Sequence, residues 1–248
     1  MMKINDSIEK RKNLPMYVLL HLSFLSPSNT KSFVAVFTFI MLDLSLLPLL
    51  YPKVNIINLI SIPLIVIAHL WAIRLLFKNP YSTQFETILF MGVNGVIGAI
   101  CYFLLIQKTA YFNLGIEAVS YYVISTLIFI GVFVGFVFYQ TKKYANIEDK
   151  ISKNKKKNQN AKYAAVIAIF PALGYSVSQL AMDQSDLIMY GVMYFVFWIF
   201  VVLMIYFAAR FLHQYVYMKL NMRFVIFENP GKKEMKQADA EGKGYIIK

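Results

Sequence analysis

Residues 54–77 read VNIINLISIPLIVIAHLWAIRLLF, a run of 24 residues in which Arg74 is the only Lys, Arg, Asp or Glu. A helix rises about 1.5 Å per residue, so about 20 apolar residues cross a hydrocarbon layer of about 30 Å. Five further runs reach or approach that length. The six predicted spans are residues 33–50, 54–77, 85–106, 117–139, 163–182 and 187–211. The pattern predicts an all-α, polytopic membrane protein with six transmembrane helices.

The basic residues lie almost entirely on one side of these spans. Of the 25 Lys and Arg residues, 23 fall in the N-terminal segment, the turn after the second span, the loop after the fourth span or the C-terminal part. Only Lys53 and Lys108 fall on the other side. Basic loops stay in the cytoplasm, so both termini are predicted to be cytoplasmic. An anionic inner leaflet accounts for the net charge of +12, which requires no nucleic-acid partner.

An apolar stretch at residues 14–25 precedes the first span. It follows a basic start, as in a signal peptide, but a cleaved signal or a seventh span would invert every later loop. As a helix it measures about 18 Å, which is too short to cross. We expect an interfacial helix on the cytoplasmic face, started by Pro15 and ended near Pro27.

The spans divide the chain into three parts. Residues 1–31 form a cytoplasmic N-terminal segment, residues 32–212 the six-helix transmembrane domain, and residues 213–248 a basic cytoplasmic tail. Within the domain, residues 140–161 form a basic loop. Contact with anionic lipid is predicted for four of its lysines: Lys153, Lys155, Lys156 and Lys157.

The tail contains two short apolar runs, residues 224–227 and 245–247. They could pair as a hairpin or join a partner's sheet, whereas a disordered tail is the favoured interpretation.

Asp43 is the clearest candidate for a functional residue. It lies about 15 Å deep in the first span, where an aspartate costs about 2.5–3.5 kcal/mol on insertion scales. On the same helical rise, Asn94 lies about 14 Å and His69 about 10 Å from the inner edge. The three side chains are therefore predicted to form an intramembrane polar cluster. The cluster is either a proton or cation relay or, as we favour, a set of hydrogen bonds that holds the helices together.

Small residues recur at helical spacing in three spans. Helices associate in lipid mainly through close packing at such positions. We expect this set to form internal helix contacts, with a partner-binding face as the alternative. Its members are Gly92, Gly95, Gly98, Gly131, Gly135, Ala164, Ala168 and Ala172.

The sequence contains no catalytic motif of the kinds that mark membrane enzymes. HExxH, CxxC and a paired-aspartate signature are absent. The single cysteine, Cys101, is predicted to lie about 15 Å from His69 along the membrane normal, too far for a catalytic dyad. His21 and His213, on the cytoplasmic face, pair with nothing evident. We expect no enzymatic activity, no metal and no cofactor.

In its overall plan the chain resembles the small, lysine-rich polytopic membrane proteins encoded in type VII secretion loci of staphylococci and their relatives. The likeness comprises the length of 248 residues, six spans, both termini inside, a basic loop such as residues 153–157 and minimal outer turns. Some members of that group are immunity proteins against secreted, membrane-active toxins. The resemblance implies a binding role in a bacterial cytoplasmic membrane, with a secreted toxin or a second polytopic subunit as partner.

Two functions remain open from the sequence. The favoured hypothesis is a non-enzymatic immunity or accessory subunit. The alternative is a small transporter or ion-conducting protein that uses Asp43, His69 and Asn94.

Overall fold

The computed structural model of the chain describes residues 3–4, 11, 14–51, 53–145 and 186–228. Within these ranges the regular structure is helical and no strand is present. The α-helices there are α1 (Met16–His21), α2 (Pro27–Ala35), α3 (Leu46–Leu50), α4 (Asn55–Phe77), α5 (Gln84–Phe112), α6 (Val119–Ala145) and α7 (Asp186–Leu220).

Five helical stretches are long and apolar enough to cross a membrane: Asn29–Leu50, Asn55–Phe77, Gln84–Phe112, Val119–Ala145 and Ile188–Leu220. They coincide with five of the six predicted spans, and the all-α class is confirmed. The remaining predicted span, residues 163–182, lies outside the described residues, so the count of six stays a prediction. The boundaries set at residues 31/32 and 212/213 fall inside α2 and α7.

The helix predicted over residues 14–25 is shorter than expected. Pro15 precedes α1 as predicted, but α1 ends at His21 and an extended segment leads to Pro27, which begins α2. Side chains take the place of a further turn, because the Ser23 hydroxyl donates to the Leu20 carbonyl at 2.8 Å and Gln214 donates to the Ser23 carbonyl at 2.9 Å. The N-terminal segment is thereby bonded to α7.

The first span is an irregular helix. After α2 comes a π-helix at Val36–Leu42, then a 3₁₀ turn at Asp43–Ser45, and then α3. Pro48, inside α3, has no N–H to donate to the carbonyl four residues earlier, and its ring crowds that carbonyl. The tightening ahead of Pro48 follows from that lost bond.

Helices α5 and α7 pack most closely, at three glycines of the predicted small-residue set. A Cβ built on Gly95 would lie 2.7 Å from the backbone nitrogen of Ala208, and one on Gly98 would lie 3.0 Å from the Met204 sulfur. Gly92 meets Leu212 in the same way. Because the α7 partners descend as the glycines ascend, the two helices are antiparallel. The prediction of internal packing is confirmed for these three glycines.

Helices α6 and α7 run parallel. Near their N-terminal ends the hydroxyls of Tyr121 and Tyr194 lie 2.7 Å apart. Near their C-terminal ends the Tyr144 ring stacks on His213 with 5.2 Å between the ring centroids. The chain therefore leaves α6 at one end of the bundle and enters α7 at the other end.

The tail is packed against the bundle as far as Glu228. Phe224 ends a 3₁₀ turn, Met222–Phe224, and does not begin a strand. The side-chain amide of Gln84 donates to the Glu228 carbonyl at 2.7 Å and accepts from the Glu228 N–H at 3.1 Å, so one side chain takes the place of a paired strand. Residues 224–227 thus form no strand in the chain itself, and the favoured disordered tail does not hold for them, whereas addition to a partner's sheet stays a prediction. Residues 245–247 lie outside the described ranges.

Candidate functional site: an aspartate–histidine pair in the first hairpin

The first and second spans meet at a polar pair. The Nε2 atom of His69 in α4 lies 2.9 Å from the Oδ1 atom of Asp43. Asp43 occupies the residue where the π-helix gives way to the 3₁₀ turn. The structure thus brings together two of the three residues predicted to form the intramembrane cluster.

One hydrogen bond of His69 shows which of its ring nitrogens bears a proton. The Nδ1 atom of His69 lies 2.8 Å from the carbonyl oxygen of Ile65, and because a carbonyl only accepts, Nδ1 bears a proton. The Nε2 atom lies at ion-pair distance from Asp43 Oδ1, but the two atoms do not have hydrogen-bond geometry. Asp43 Oδ1 is therefore a buried acceptor whose hydrogen-bonding capacity is unmet within the described residues.

The pair lies at an outward-facing surface of the described bundle. The side chains of His69 and Asp43 are 23% and 31% exposed. Phe39 covers one side of the imidazole edge-on, with its ring centroid 5.2 Å away. A half-exposed polar pair among apolar neighbours is costly in hydrocarbon, since nothing in lipid completes its hydrogen bonds.

Asn94 does not join the pair, which corrects the predicted three-residue cluster. Its amide nitrogen lies 3.4 Å from the Phe37 carbonyl oxygen and 3.3 Å from the Thr38 hydroxyl. Thr38 precedes Asp43 by five residues, or about 7 Å on a helical rise. The depth estimate failed because α2 begins at Pro27, six residues before the apolar run.

Two further polar residues of α5 serve the first span and were missed from the sequence. The Tyr102 hydroxyl donates to the Met41 carbonyl at 2.6 Å. The buried Lys108 ammonium donates to the carbonyls of Pro48 and Leu49 at 2.8 and 2.7 Å, at the C-terminal end of α3. The sequence contains a signal for Lys108, since it is one of the two cations on the side predicted to face outward, and a helix C-terminus attracts such a charge.

A second buried cluster lies at the opposite end of the bundle, where the sequence indicated no pairing. The Nε2 atom of His21 lies 3.0 Å from the Nδ1 atom of His213, and the Tyr144 ring stacks on His21 at 4.0 Å. Burial, with the charges of His213, Arg210 and Lys143, lowers the pKa of His21 to about 3. The positive surroundings disfavour a bound cation at this histidine pair.

The residues at the inner ends of α4 and α5 form a conventional ion pair. Glu86 accepts from the Arg74 guanidinium at 2.9 Å and from the Trp71 indole at 3.1 Å. These bonds hold α4 and α5 together beside the turn that connects them, and they leave Glu86 no evident chemical role.

The other predicted site residues are placed as follows. Gly131 and Gly135 in α6 have no described residue within 4 Å of where a Cβ would stand, so their predicted helix contact stays a prediction. Ala164, Ala168 and Ala172 of the predicted packing face, and the lipid-contacting Lys153, Lys155, Lys156 and Lys157, lie outside the described residues.

Metal chemistry has no support in the described part of the chain, because it contains no group of three His, Cys, Asp or Glu residues that could hold an ion. Comparison with protein-family models, with curated proteins and with solved structures finds no match to this chain.

Proposed function

We propose that this chain is a non-enzymatic integral membrane protein that binds a partner within the bilayer, as an immunity or accessory subunit. The observation that carries the proposal is the half-exposed Asp43–His69 pair at mid-span. A partner helix with a hydrogen-bonding side chain at the same depth would complete the pair's unmet bonds, and polar side chains join helices in this way in lipid. The partner would be a membrane-active secreted toxin or a second polytopic subunit.

The surface around the pair suits a helix. Leu47 lies one turn after Asp43, while Val66 and Ile73 lie one turn on either side of His69. All three are exposed, Leu47 at 77%. We call these five residues the pair face. Its apolar rim and polar centre match the contact that a transmembrane helix makes in lipid, where close packing and hydrogen bonds replace the hydrophobic effect.

Membrane protection tests this function. The chain would be expressed together with a toxin encoded beside its gene, and the membrane potential of the cells would be followed with a potential-sensitive dye. We expect the chain to preserve the potential and Leu47→Trp on the pair face to abolish protection. Leu127→Trp is the matched control, since Leu127 is similarly exposed but lies on α6. Loss of potential with the wild-type chain present would refute the proposal.

Localisation follows from the same proposal. The chain would lie in a bacterial cytoplasmic membrane with both termini in the cytoplasm, and Lys153, Lys155, Lys156 and Lys157 would contact anionic lipid. The likeness to immunity proteins of type VII secretion loci supports this placement through the overall plan alone.

The second candidate function is transport of protons or another cation. It is favoured by the close approach of two ionisable side chains within the membrane, with His69 Nε2 2.9 Å from Asp43 Oδ1. Asp43→Asn separates the two candidates, because asparagine keeps a polar side chain of the same size beside His69 but cannot exchange a proton. In proteoliposomes with a pH-sensitive dye, transport would be lost in Asp43→Asn, whereas protection by binding would be largely retained.

A further inference from the structure

The backbone of the first span changes at one residue, Asp43, from a π-helix to a 3₁₀ turn. The N–H of Asp43 is shared between the carbonyl of Thr38, five residues back, which closes the π-helix, and the carbonyl of Ile40, three residues back. The carbonyl of Asp43 accepts from the N–H of Leu46, three residues ahead, which closes the 3₁₀ turn. Asp43 is therefore the joint between the two halves of the span.

A π-helix of seven residues needs support from outside the span. Such helices are rare and usually last a single turn, and they occur often at functional sites. Here α5 supplies the support through Asn94, which donates to the Phe37 carbonyl, and Tyr102, which donates to the Met41 carbonyl. Both acceptors lie within the π-helix, so α5 stabilises this backbone over a regular α-helix.

The contact between the first span and α4 is made by Asp43, the residue at which the two helix types meet. Asp43 contacts His69, and the Ile65 carbonyl fixes the His69 ring from the other side. Asn94 and Tyr102 bind to atoms within the π-helix, whereas His69 contacts the side chain of Asp43, the residue at which the π-helix ends. This contact is also half-exposed, whereas Asn94 and Tyr102 are buried. The Asp43–His69 contact is the one that a group outside the bundle can reach.

We propose that the first span has two backbone registers and that the Asp43–His69 contact holds it in the π register. When the contact is broken, residues 36–42 take up α-helical bonding, and the outer half of the span turns by about one residue, or about 100°. A polar group of a partner that takes His69 or Asp43 would release the register. That trigger rests on the proposed function, but the lock does not, because it exists in the isolated protein.

Spin labelling of the outer half tests the lock. In a Cys101→Ala background, single cysteines at residues 44, 46, 47, 49 and 50 would be labelled one at a time. Collision with oxygen in vesicles reports lipid exposure at each position. The wild-type profile should peak at Leu44 and Leu47 and fall to a minimum at Leu49, which is fully buried. In Asp43→Leu the maxima and the minimum should move by about one position.

Two variants make the result decisive. His69→Leu breaks the same contact without altering the first span, so it should give the same shift. Glu86→Gln removes the carboxylate of a different ion pair and should leave the profile unchanged. The wild-type profile in both contact-breaking variants would overturn the lock. Failure of both to insert and fold would also overturn it, since the proposed α register must be stable on its own.

Discussion

The polar side chains inside the described bundle differ in what they contact. That difference distinguishes residues that hold the backbone in place from residues that are available to a ligand. Asn94, Tyr102 and Lys108 all donate to backbone carbonyls of the first span. Asp43 and His69 contact each other through ionisable atoms. A group that titrates and is half-exposed can respond to a ligand or a proton, whereas a donor on a buried carbonyl can only hold it.

The two outer cations are expected to differ sharply in their structural role. Lys108→Met leaves the Pro48 and Leu49 carbonyls without their donor, which should cost about 1–3 kcal/mol. Lys53→Met, in the exposed turn between α3 and α4, should change stability by less than about 0.5 kcal/mol. Unfolding by SDS in mixed micelles measures both. Equal effects at the two positions would show that Lys108 does not cap the first span.

His21 makes the packing of the N-terminal segment dependent on pH. Its ordinary pKa is about 6.5, and burial lowers the pKa to about 3. Between these values the unfolded state binds more protons, so this contribution is complete above pH 6.5 and declines as the pH falls toward 3. At pH 4.5 the loss should be about 2–3 kcal/mol relative to pH 7.5.

Thermal unfolding in detergent at pH 7.5 and 4.5 checks the role of His21. His21→Phe keeps an aromatic ring against Tyr144 but cannot titrate, so its melting temperature should fall less between the two pH values than that of the wild type. Equal falls in the two proteins would assign the pH dependence to other groups.

For single residues, the sequence shows which side chains are candidates for a site better than it shows which side chains they contact. The Asp43–His69 contact is predicted because both are ionisable residues well inside adjacent spans, although their estimated depths differ by about 5 Å. The His21–His213 pair could not be predicted, because 191 residues separate the two histidines and no periodicity relates α1 to α7. Asn94 was misplaced because hydropathy marks where a run is apolar, whereas a helix begins where its first turn is capped.

The helices differ in how fully their sequences determine their form. Residues 55–77 have no regularly spaced polar face and form one uninterrupted α-helix, α4, close to the predicted limits. Residues 29–50 are equally apolar, but they contain a π-helix and a 3₁₀ turn. Pro48 indicated a break in bonding there. The π-helix itself depends on donors from α5, so no property of the first span alone could predict it.

Glycines on α5 and α6 should respond to the same substitution with opposite sign. Gly95→Ala places a methyl group 2.7 Å from the Ala208 nitrogen and 3.0 Å from its Cα, and separating these backbones should cost about 1–3 kcal/mol. Gly131→Ala meets nothing within 4 Å, so the helix propensity of alanine should stabilise α6 by up to about 1 kcal/mol. SDS unfolding compares the pair. Destabilisation of similar size in both would place an unseen neighbour at Gly131.

For the whole molecule, the parallel course of α6 and α7 is the strongest link between fold and topology. Four consecutive long helices, from the first span to α6, alternate in direction through short turns. A parallel α7 therefore requires the chain to return between residues 145 and 186. The fifth predicted span, residues 163–182, would provide that return. An odd number of crossings would instead place the two termini on opposite sides of the membrane.

Labelling of the α5 ends tests this topology directly. A 29-residue helix is about 43 Å long, so Asn79 before it and Asn113 after it lie on opposite sides of a bilayer. Both residues are exposed, and a Cys101→Ala background removes the only native thiol, which is buried. In intact cells an impermeant maleimide should label Asn113→Cys, and Asn79→Cys only after permeabilisation. The reverse pattern would invert the charge-based orientation, and 23 of the 25 basic residues would then face outward against the cytoplasmic preference of such loops.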